Sequence, residues 1–404
     1  MTRPTVAEVS LSAVRENLRA LVRLVGPGVK VLGVVKADAY GHGAARVALA
    51  LQEGGIDQLG VALVGEGVAL REAGIRTPIL VMGPTFEDEW PDLFRHDLVP
   101  TVDDLGSARA LDRYVAKAAV RHAGYHLKVD TGMNRLGLRG EEVVEQAGEL
   151  ASLEHLAMQA VYTHFACADQ AGHPTLTEQL ARFERALESL AAQGVRPPLV
   201  HAANSAAAVT LPAARFGMVR PGLALYGVSP CPEARPLALR PALALKSRIV
   251  RVKRVPKGEG VSYGHTWQAP RDSVIGILPI GYGDGYPRSL SNKGCVRVAG
   301  RLCPIVGVVC MDATMVDLTE LGTRNSELGI NGTAGRRALG TGTTENRPIR
   351  HPPSAIPNLV GLEAALIEAD NDSPLSAAAV ARQAGTIPYE VLSVLTRRVP
   401  RVYV

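Results

Sequence analysis

At 404 residues the chain has room for two or three domains of about 150 residues, although a barrel often takes roughly 200–250 in one. Its 47% hydrophobic, 21% charged and 4% aromatic residues form an ordinary globular composition and exclude disorder throughout. Lys plus Arg number 44 against 39 Asp plus Glu, a net charge of +5 not gathered into basic runs, so the composition gives no support to nucleic-acid binding.

The opening MTRPTVAEVSLSAVREN has no long apolar segment behind a basic start, and no later stretch reaches about 18 consecutive apolar residues. Neither an export signal nor a membrane span is expected. From Val31 to Arg220, short apolar runs alternate with helix-like segments, the pattern of βα units around a parallel sheet. The runs are Val31–Val35, Leu59–Leu63, Pro78–Met82, Leu98–Thr101, Tyr125–Val129, Met158–Thr163, Leu199–Ala202 and Phe216–Val219. Between them, Leu105, Ala108, Leu111, Tyr114 and Val115 mark one apolar helix face within 103–119. Eight such units predict a closed (β/α)8 barrel. An open doubly wound sheet could also carry eight strands, but no GxGxxG follows the first.

After about Pro230 the texture changes. From Ala242 to Leu318 short alternating stretches are separated by Lys-Gly, Gly-Tyr-Gly-Asp-Gly and Gly-Arg turns. The fold class expected is therefore α/β, an N-terminal (β/α)8 barrel (1–235) followed by a C-terminal mostly-β domain (236–404). Residues 322–358, rich in Gly, Thr, Asn, Arg and Pro, read as a loop insertion. Ser376 to Ala384 reads as a helix, and TIPYEVL (386–392) as a strand or turn. The five cysteines, Cys167, Cys231, Cys295, Cys303 and Cys310, form no CxxC pair, so neither a disulfide framework nor a metal site is expected and a reducing, cytoplasmic compartment fits best.

In such a barrel, chemistry gathers where the strands end. Lys36 directly follows the first run, Lys128 lies in the fifth, His164 ends the sixth, Asn204 and Ser205 follow the seventh, and Arg220 ends the eighth. A lone lysine leaving a strand more often snorkels to solvent, and Asn-Ser alone is more often a helix cap. Here, however, Lys36 opens KADAYGHG, whose tyrosine, histidine and glycines crowd the next seven positions. A barrel-mouth lysine of depressed pKa is a standard anchor for pyridoxal phosphate, and Ser205 and Gly222-Leu223 follow the two strands that usually build a phosphate site.

VVKADAYGHG resembles the cofactor-binding signature of the alanine racemases, pyridoxal-phosphate enzymes built from a barrel and a β domain. HLKVDTGMNRLG, VYTHFACAD, HAANSAA, MVRPGLALYG, GVSYGHTW, PIGYGDGYPR, VVCMDATMVD and TIPYEVL with RVPRVYV resemble further motifs of that family, in the family's order. The likeness covers nearly the whole chain outside 322–358.

The resemblance implies interconversion of L-alanine and D-alanine by two bases, supplying D-alanine for cell-wall peptidoglycan. Lys36 would hold pyridoxal 5'-phosphate and act toward D-alanine. Tyr263 would act toward L-alanine from the partner subunit, implying a homodimer with shared active sites. Arg220 would face the pyridine nitrogen, with His164 supporting Arg220 and Tyr263. Arg135 and the backbone of Met311, again from the partner, would hold the substrate carboxylate. Tyr40 and Tyr389 would bind the phosphate with Asn204, Ser205, Gly222 and Leu223, and Tyr282 would narrow the entrance. Lys128 matches a position that is often carbamylated in the family. Asn134 stands where glycine is common, and asparagine tolerates the left-handed region such a turn requires.

The alternatives are a serine or broad-specificity racemase, a related amino-acid decarboxylase, and a non-catalytic pyridoxal-phosphate carrier. The VKADAYGHG and SYG motifs stand against the decarboxylases, and the missing export signal against the periplasmic broad-specificity group. Carriers resemble a single barrel, so the β domain bearing Tyr263 and Met311 stands against them.

Overall fold

The computed structural model describes residues 3–118, 120, 123–170, 172–322 and 359–404. The chain divides into two compact units. One comprises Glu8–Leu243, Ala369–Asn371 and Arg401–Val404, and the other Met1–Ala7, Ala244–Glu368 and Asp372–Pro400.

Strand β1 (Val6–Val9) leads into helix Leu11–Val25, whose start is fixed by Ser10: its hydroxyl accepts the Ala13 N–H at 3.3 Å. Spacings of three and four then bury Val14, Leu18, Leu21 and Val25 against the barrel. All eight apolar runs form barrel strands. They are β2 (Lys30–Val34), β3 (Gln58–Val61), β4 (Ile79–Val81), β5 (Leu98–Val102), β6 (Ala123–Lys128), β7 (Leu156–Tyr162), β8 (Leu199–Asn204) and β9 (Met218–Arg220). Neighbours pair in parallel, and β9 returns to β2 to close the ring. The expected helix spans Leu105–Lys117, capped by the Asp104 carboxylate on the Ser107 N–H at 2.8 Å, with Ala108, Leu111 and Val115 buried.

The inside of the barrel is polar toward the strand ends. Lys128, Tyr162 and His201 are register partners on β6, β7 and β8, so their side chains enter one layer. Tyr162 stacks on His201 with centroids 4.7 Å apart, and its hydroxyl bonds Thr101 at 2.9 Å. His126, one turn of the pleat deeper on β6, sits 3.0 Å from His201. His42 is buried beside the first strand end, stacked on Tyr226 at 4.5 Å. Its Nδ1–H is shared between the carbonyls of Ala39 and Tyr40 at 3.0 and 2.9 Å.

In the other unit, Arg251–Val255, Ser273–Leu278 and Thr314–Asp317 form an antiparallel sheet. Cys295–Val298 pairs with Arg301–Pro304 and with Glu363–Ile367, which also pairs with Leu243–Arg248. This is the mostly-β architecture expected after the barrel. Asp284, fully buried, organises the Gly-Tyr-Gly-Asp-Gly turn: it accepts two bonds from Arg3 at 2.6 Å and one from the Gly281 N–H at 3.0 Å. Ser376 caps the expected helix, Ala377–Ala384. TIPYEVL is neither strand nor turn: Pro388–Ser393 is a helix, with Pro388 in its first turn and Glu390 near its positive end. The insertion expected at 322–358 lies outside the described residues from position 323 onward. No described helix is long and apolar enough to cross a membrane.

Burial holds the barrel's histidines neutral. His42 is pushed down to about 4 and His126 to about 3, the latter also by the charge of Arg220. In the unfolded chain both rings take up protons near 6.5, the ordinary value for histidine. The unfolded chain therefore binds more protons below that pH, and the stability present above it is lost as pH falls toward the folded values. We expect the unfolding free energy, measured by urea denaturation, to hold steady above about pH 7 and to drop on acidification, with about 3 kcal/mol of the loss arising at His42 alone.

Candidate active site

Lys36 leaves the end of β2 into an unusual turn. Ala37, Asp38, Ala39 and Tyr40 all have left-handed backbones, with φ of 51, 53, 55 and 52°. None is glycine, so each residue costs about 1–2 kcal/mol. The turn is held by bonds from outside it. Glu66 accepts the Ala37 N–H at 2.6 Å while its other oxygen accepts Ala62 and Leu63 N–H groups at 2.8 and 3.2 Å. Asp38 accepts the Ala44 N–H at 2.7 Å and closes the far side. Burial, then the charge of Arg135, lowers the pKa of Lys36 against an opposing contribution from Glu66. A lysine pushed toward its neutral amine is a nucleophile and a base.

Arg220 ends β9, buried, where a register shift on β8 sets it opposite Asn204. Its terminal nitrogens donate to His201 Nδ1 at 2.9 Å, to the carbonyls of Thr163 and Ala202 at 2.7 and 3.0 Å, and to His164 Nδ1 at 3.2 Å. Its Nε–H has no bonding partner among the described residues. Burial brings its pKa down to about 10, so it keeps its charge. A guanidinium only donates, which fixes both histidine tautomers: His201 and His164 accept at Nδ1 and carry their proton on Nε2. His201 then donates from Nε2 to His126 Nδ1. Burial and the Arg220 charge lower the pKa of His164 and His201 well below the ordinary range.

Ser205 and Gly222 form a cradle. Asn204 caps helix Ser205–Thr210 through the Ala207 N–H at 3.0 Å, the ordinary structural role open to it. Ser205 Oγ accepts the N–H groups of Gly222 at 2.9 Å and Ala224 at 3.3 Å, which leaves its own hydrogen free to donate. Leu223 opens the short turn Leu223–Tyr226 between them. A side chain at position 222 would place its Cβ 2.6 Å from the Tyr40 hydroxyl, so glycine is required for that hydroxyl to reach the cradle. The uncommitted Ser205 hydroxyl hydrogen and the Tyr40 hydroxyl suit a phosphate, and the open Arg220 Nε–H suits a heteroaromatic nitrogen acceptor. With the Lys36 amine, these donors fit pyridoxal phosphate.

Arg135 is exposed on the loop after β6, yet its charge reaches Lys36, Lys128 and His164. Asn134 beside it does adopt the left-handed region, φ 53°, steadied by its N–H to Asp130 Oδ1 at 3.0 Å. Lys128 is buried with its amine 4.3 Å over the Tyr162 ring. Burial, Arg220 and Arg135 lower its pKa well below the ordinary lysine value. Asp130 and Asp103 act against this shift, and neither forms an ion pair with Lys128 among the described residues. Asp130 accepts backbone N–H groups and Asp312 pairs with Arg398.

Tyr263, Tyr282, Met311 and Tyr389 lie in the other unit, and all four are exposed, Tyr263 at 72%. The first three share one loop cluster. Ser262 bonds the Val308 carbonyl at 2.7 Å and Cys310 Sγ at 3.4 Å, and the Tyr282 N–H donates to the Cys310 carbonyl at 2.9 Å. Tyr389 stands on helix Pro388–Ser393.

Sequence reasoning missed Tyr162, His201, His126 and Glu66. The first three sit inside or beside runs read only as apolar strands, where a polar residue facing into a barrel is itself a signal. Glu66 carries none, because its partner Ala37 is 29 positions away.

The profile of the alanine racemase N-terminal domain matches residues 9–230 and that of the C-terminal domain residues 242–341. An alanine racemase from Symbiobacterium thermophilum is 42% identical over 402 residues, spanning 99% of this chain and 97% of that one. The crystal structure of alanine racemase from Streptomyces lavendulae, a producer of D-cycloserine, superposes with a TM-score of 0.84 at 36% identity, covering 100% of this chain and 98% of the other. That of alanine racemase from Bartonella henselae with covalently bound pyridoxal phosphate gives 0.83 at 26% identity and full coverage of both chains. Two domain profiles in order, relatives matched end to end and a shared barrel with β sheets agree on one conclusion: the chain belongs to the alanine racemase family.

Proposed function

We propose that the chain interconverts L-alanine and D-alanine with pyridoxal 5'-phosphate, using Lys36 and Tyr263 as the two bases. The observation that carries this is a lysine of lowered pKa at a strand end, together with the Ser205 hydroxyl, whose hydrogen is left free by the Gly222 and Ala224 amides it accepts, and a buried arginine with an open Nε–H. When bound, the cofactor supplies the electron withdrawal that makes the Cα proton of alanine removable. Lys36, Tyr40, Ser205, Gly222, Leu223 and Arg220 would hold it, with Asn204 setting the helix start, His164 orienting Arg220, and Tyr389 adding a phosphate contact.

Arg220 donates a hydrogen bond and withholds its proton, so the electron withdrawal stays moderate and favours return of the Cα proton over competing outcomes. Lys36 Nζ takes or returns that proton on one face and Tyr263 Oη on the other. Arg135 and the Met311 backbone orient the substrate carboxylate, and Tyr282 limits what enters. The exposure of Tyr263, Met311, Tyr282 and Tyr389 supports a homodimer in which each copy completes its partner's site. The product would serve peptidoglycan synthesis in the cytoplasm.

Circular dichroism of L-alanine and L-serine solutions tests the reaction. Wild-type protein should racemise alanine, Lys36→Ala and Tyr263→Phe should each lose about a thousandfold in kcat, and serine should turn over more slowly. Undiminished racemisation by Lys36→Ala refutes the mechanism, and faster turnover of serine refutes the substrate.

Lys128 is proposed to be carbamylated. Its neutral amine adds to carbon dioxide, an N–C bond forms, one proton leaves, and the resulting anion faces Arg135 instead of repelling it. Intact mass under gentle conditions should exceed the sequence mass by one carbon dioxide, and Lys128→Ala should lack the increment.

A further inference from the structure

We propose that Arg401 and Tyr403 are positioning residues for Lys36, clamping from outside the left-handed turn that aims its amine. Four consecutive non-glycine residues in the left-handed region persist only where their surroundings over-determine them. Glu66, Asp38 and His42 supply part of that constraint, and the strand Arg401–Tyr403 supplies the rest.

The contacts lie on the segment directly after Lys36. Arg401 donates from Nε to the Gly41 carbonyl at 2.9 Å, and the Asp38 carboxylate is near enough for its charge to act on the guanidinium. The Tyr403 hydroxyl fills the space beside Gly43, φ 89°, so closely that a Cβ there would collide with it. Arg46, on the helix that follows, stands 5.0 Å over the Tyr403 ring. The strand is itself anchored, the Val404 N–H donating to the Val9 carbonyl at 3.0 Å. Relaxation of the turn toward ordinary backbone angles would swing Gly41 and Gly43 against a fixed strand. Arg401 and Tyr403 act through the turn rather than on the reacting atoms. The inference rests on Lys36 being the cofactor anchor.

The test uses the cofactor-loaded protein and the variants Arg401→Gln, Arg401→Lys and Tyr403→Leu. Hydrogen exchange followed by mass spectrometry should show the amides of 39–43 exchanging about tenfold faster in Arg401→Gln and Tyr403→Leu, with the rest of the barrel unchanged. The visible circular dichroism of bound pyridoxal phosphate should weaken in both. Turnover should fall about tenfold with KM for alanine within about twofold, and Arg401→Lys, which keeps a cation near Asp38, should fall between wild type and Arg401→Gln on every readout. Should Arg401→Gln not fold, Tyr403→Leu carries the same comparison. Wild-type exchange at 39–43 overturns the clamp, and so does faster exchange spread evenly over the barrel. A loosened turn with an unaltered cofactor signal overturns the positioning role. A wild-type protein that takes up no cofactor refutes the function proposed above, while exchange at 39–43 still decides the clamp.

Discussion

The site depends on a permanent cation sealed inside a barrel. Arg220 cannot escape its burial by neutralising, so the surrounding chain must satisfy it, and His201, His164, Thr163 and Ala202 do so with four acceptors. Two consequences follow from the same charge. Being an obligate donor, it fixes the tautomers of His164, His201 and, one bond further, His126. Being a cation in a poorly solvated interior, it drives protons off neighbouring groups: its charge contributes to the lowered pKa of His126, His164, His201 and Lys128. Burial first, and this one charge second, thus leave an array of neutral rings whose hydrogen bonds have a single direction.

The second constraint is conformational. A lysine at the end of β2 could wander, since its four-carbon stem is flexible. The left-handed turn after it removes that freedom at the backbone level, and Glu66 links this loop to the one after β3 by accepting N–H groups from both. The strain is local, and beside the local bonds of Asp38 and His42 it is opposed by bonds from Glu66 and Arg401, remote in the sequence. Such a turn is therefore stable only in the finished barrel.

How much of this was legible in the sequence follows from the range of each interaction. The eight strands were visible because parallel strands buried on both faces read as apolar runs. The apolar face of the helix Leu105–Lys117 was visible because helix faces are set within a few residues, whereas its Asp104 cap was not read. TIPYEVL was misread: its β-branched and aromatic residues suggest a strand, but the proline-initiated helix start decided the local structure. Lys36, Ser205 and Arg220 were found because strand ends can be counted, while Tyr162 and His201 were absorbed into their runs. Glu66 and Arg401 lay beyond local reasoning altogether, their backbone partners being 29 and 360 positions distant. The roles proposed for Tyr263, Met311, Tyr282 and Tyr389 came from the resemblance, since exposed side chains on loops or a short helix give no local sign of chemistry.

The two lysines show how one electrostatic environment can serve two purposes. Both are pushed toward the neutral amine by burial, and Arg135 adds to the push on each. They differ in what opposes it and in what can reach them. Glu66 works against the shift at Lys36, which stands partly open at the strand end. Lys128 lies over the Tyr162 ring inside the barrel, with Arg220 as a second cation acting on it and with Asp130 committed to backbone N–H groups. Asp103 and Asp130 oppose the shift there without overcoming burial and the two arginines. The same lowering of basicity thus acts on both lysines, and what separates them is access: Lys36 stands partly open at the strand end and Lys128 is buried.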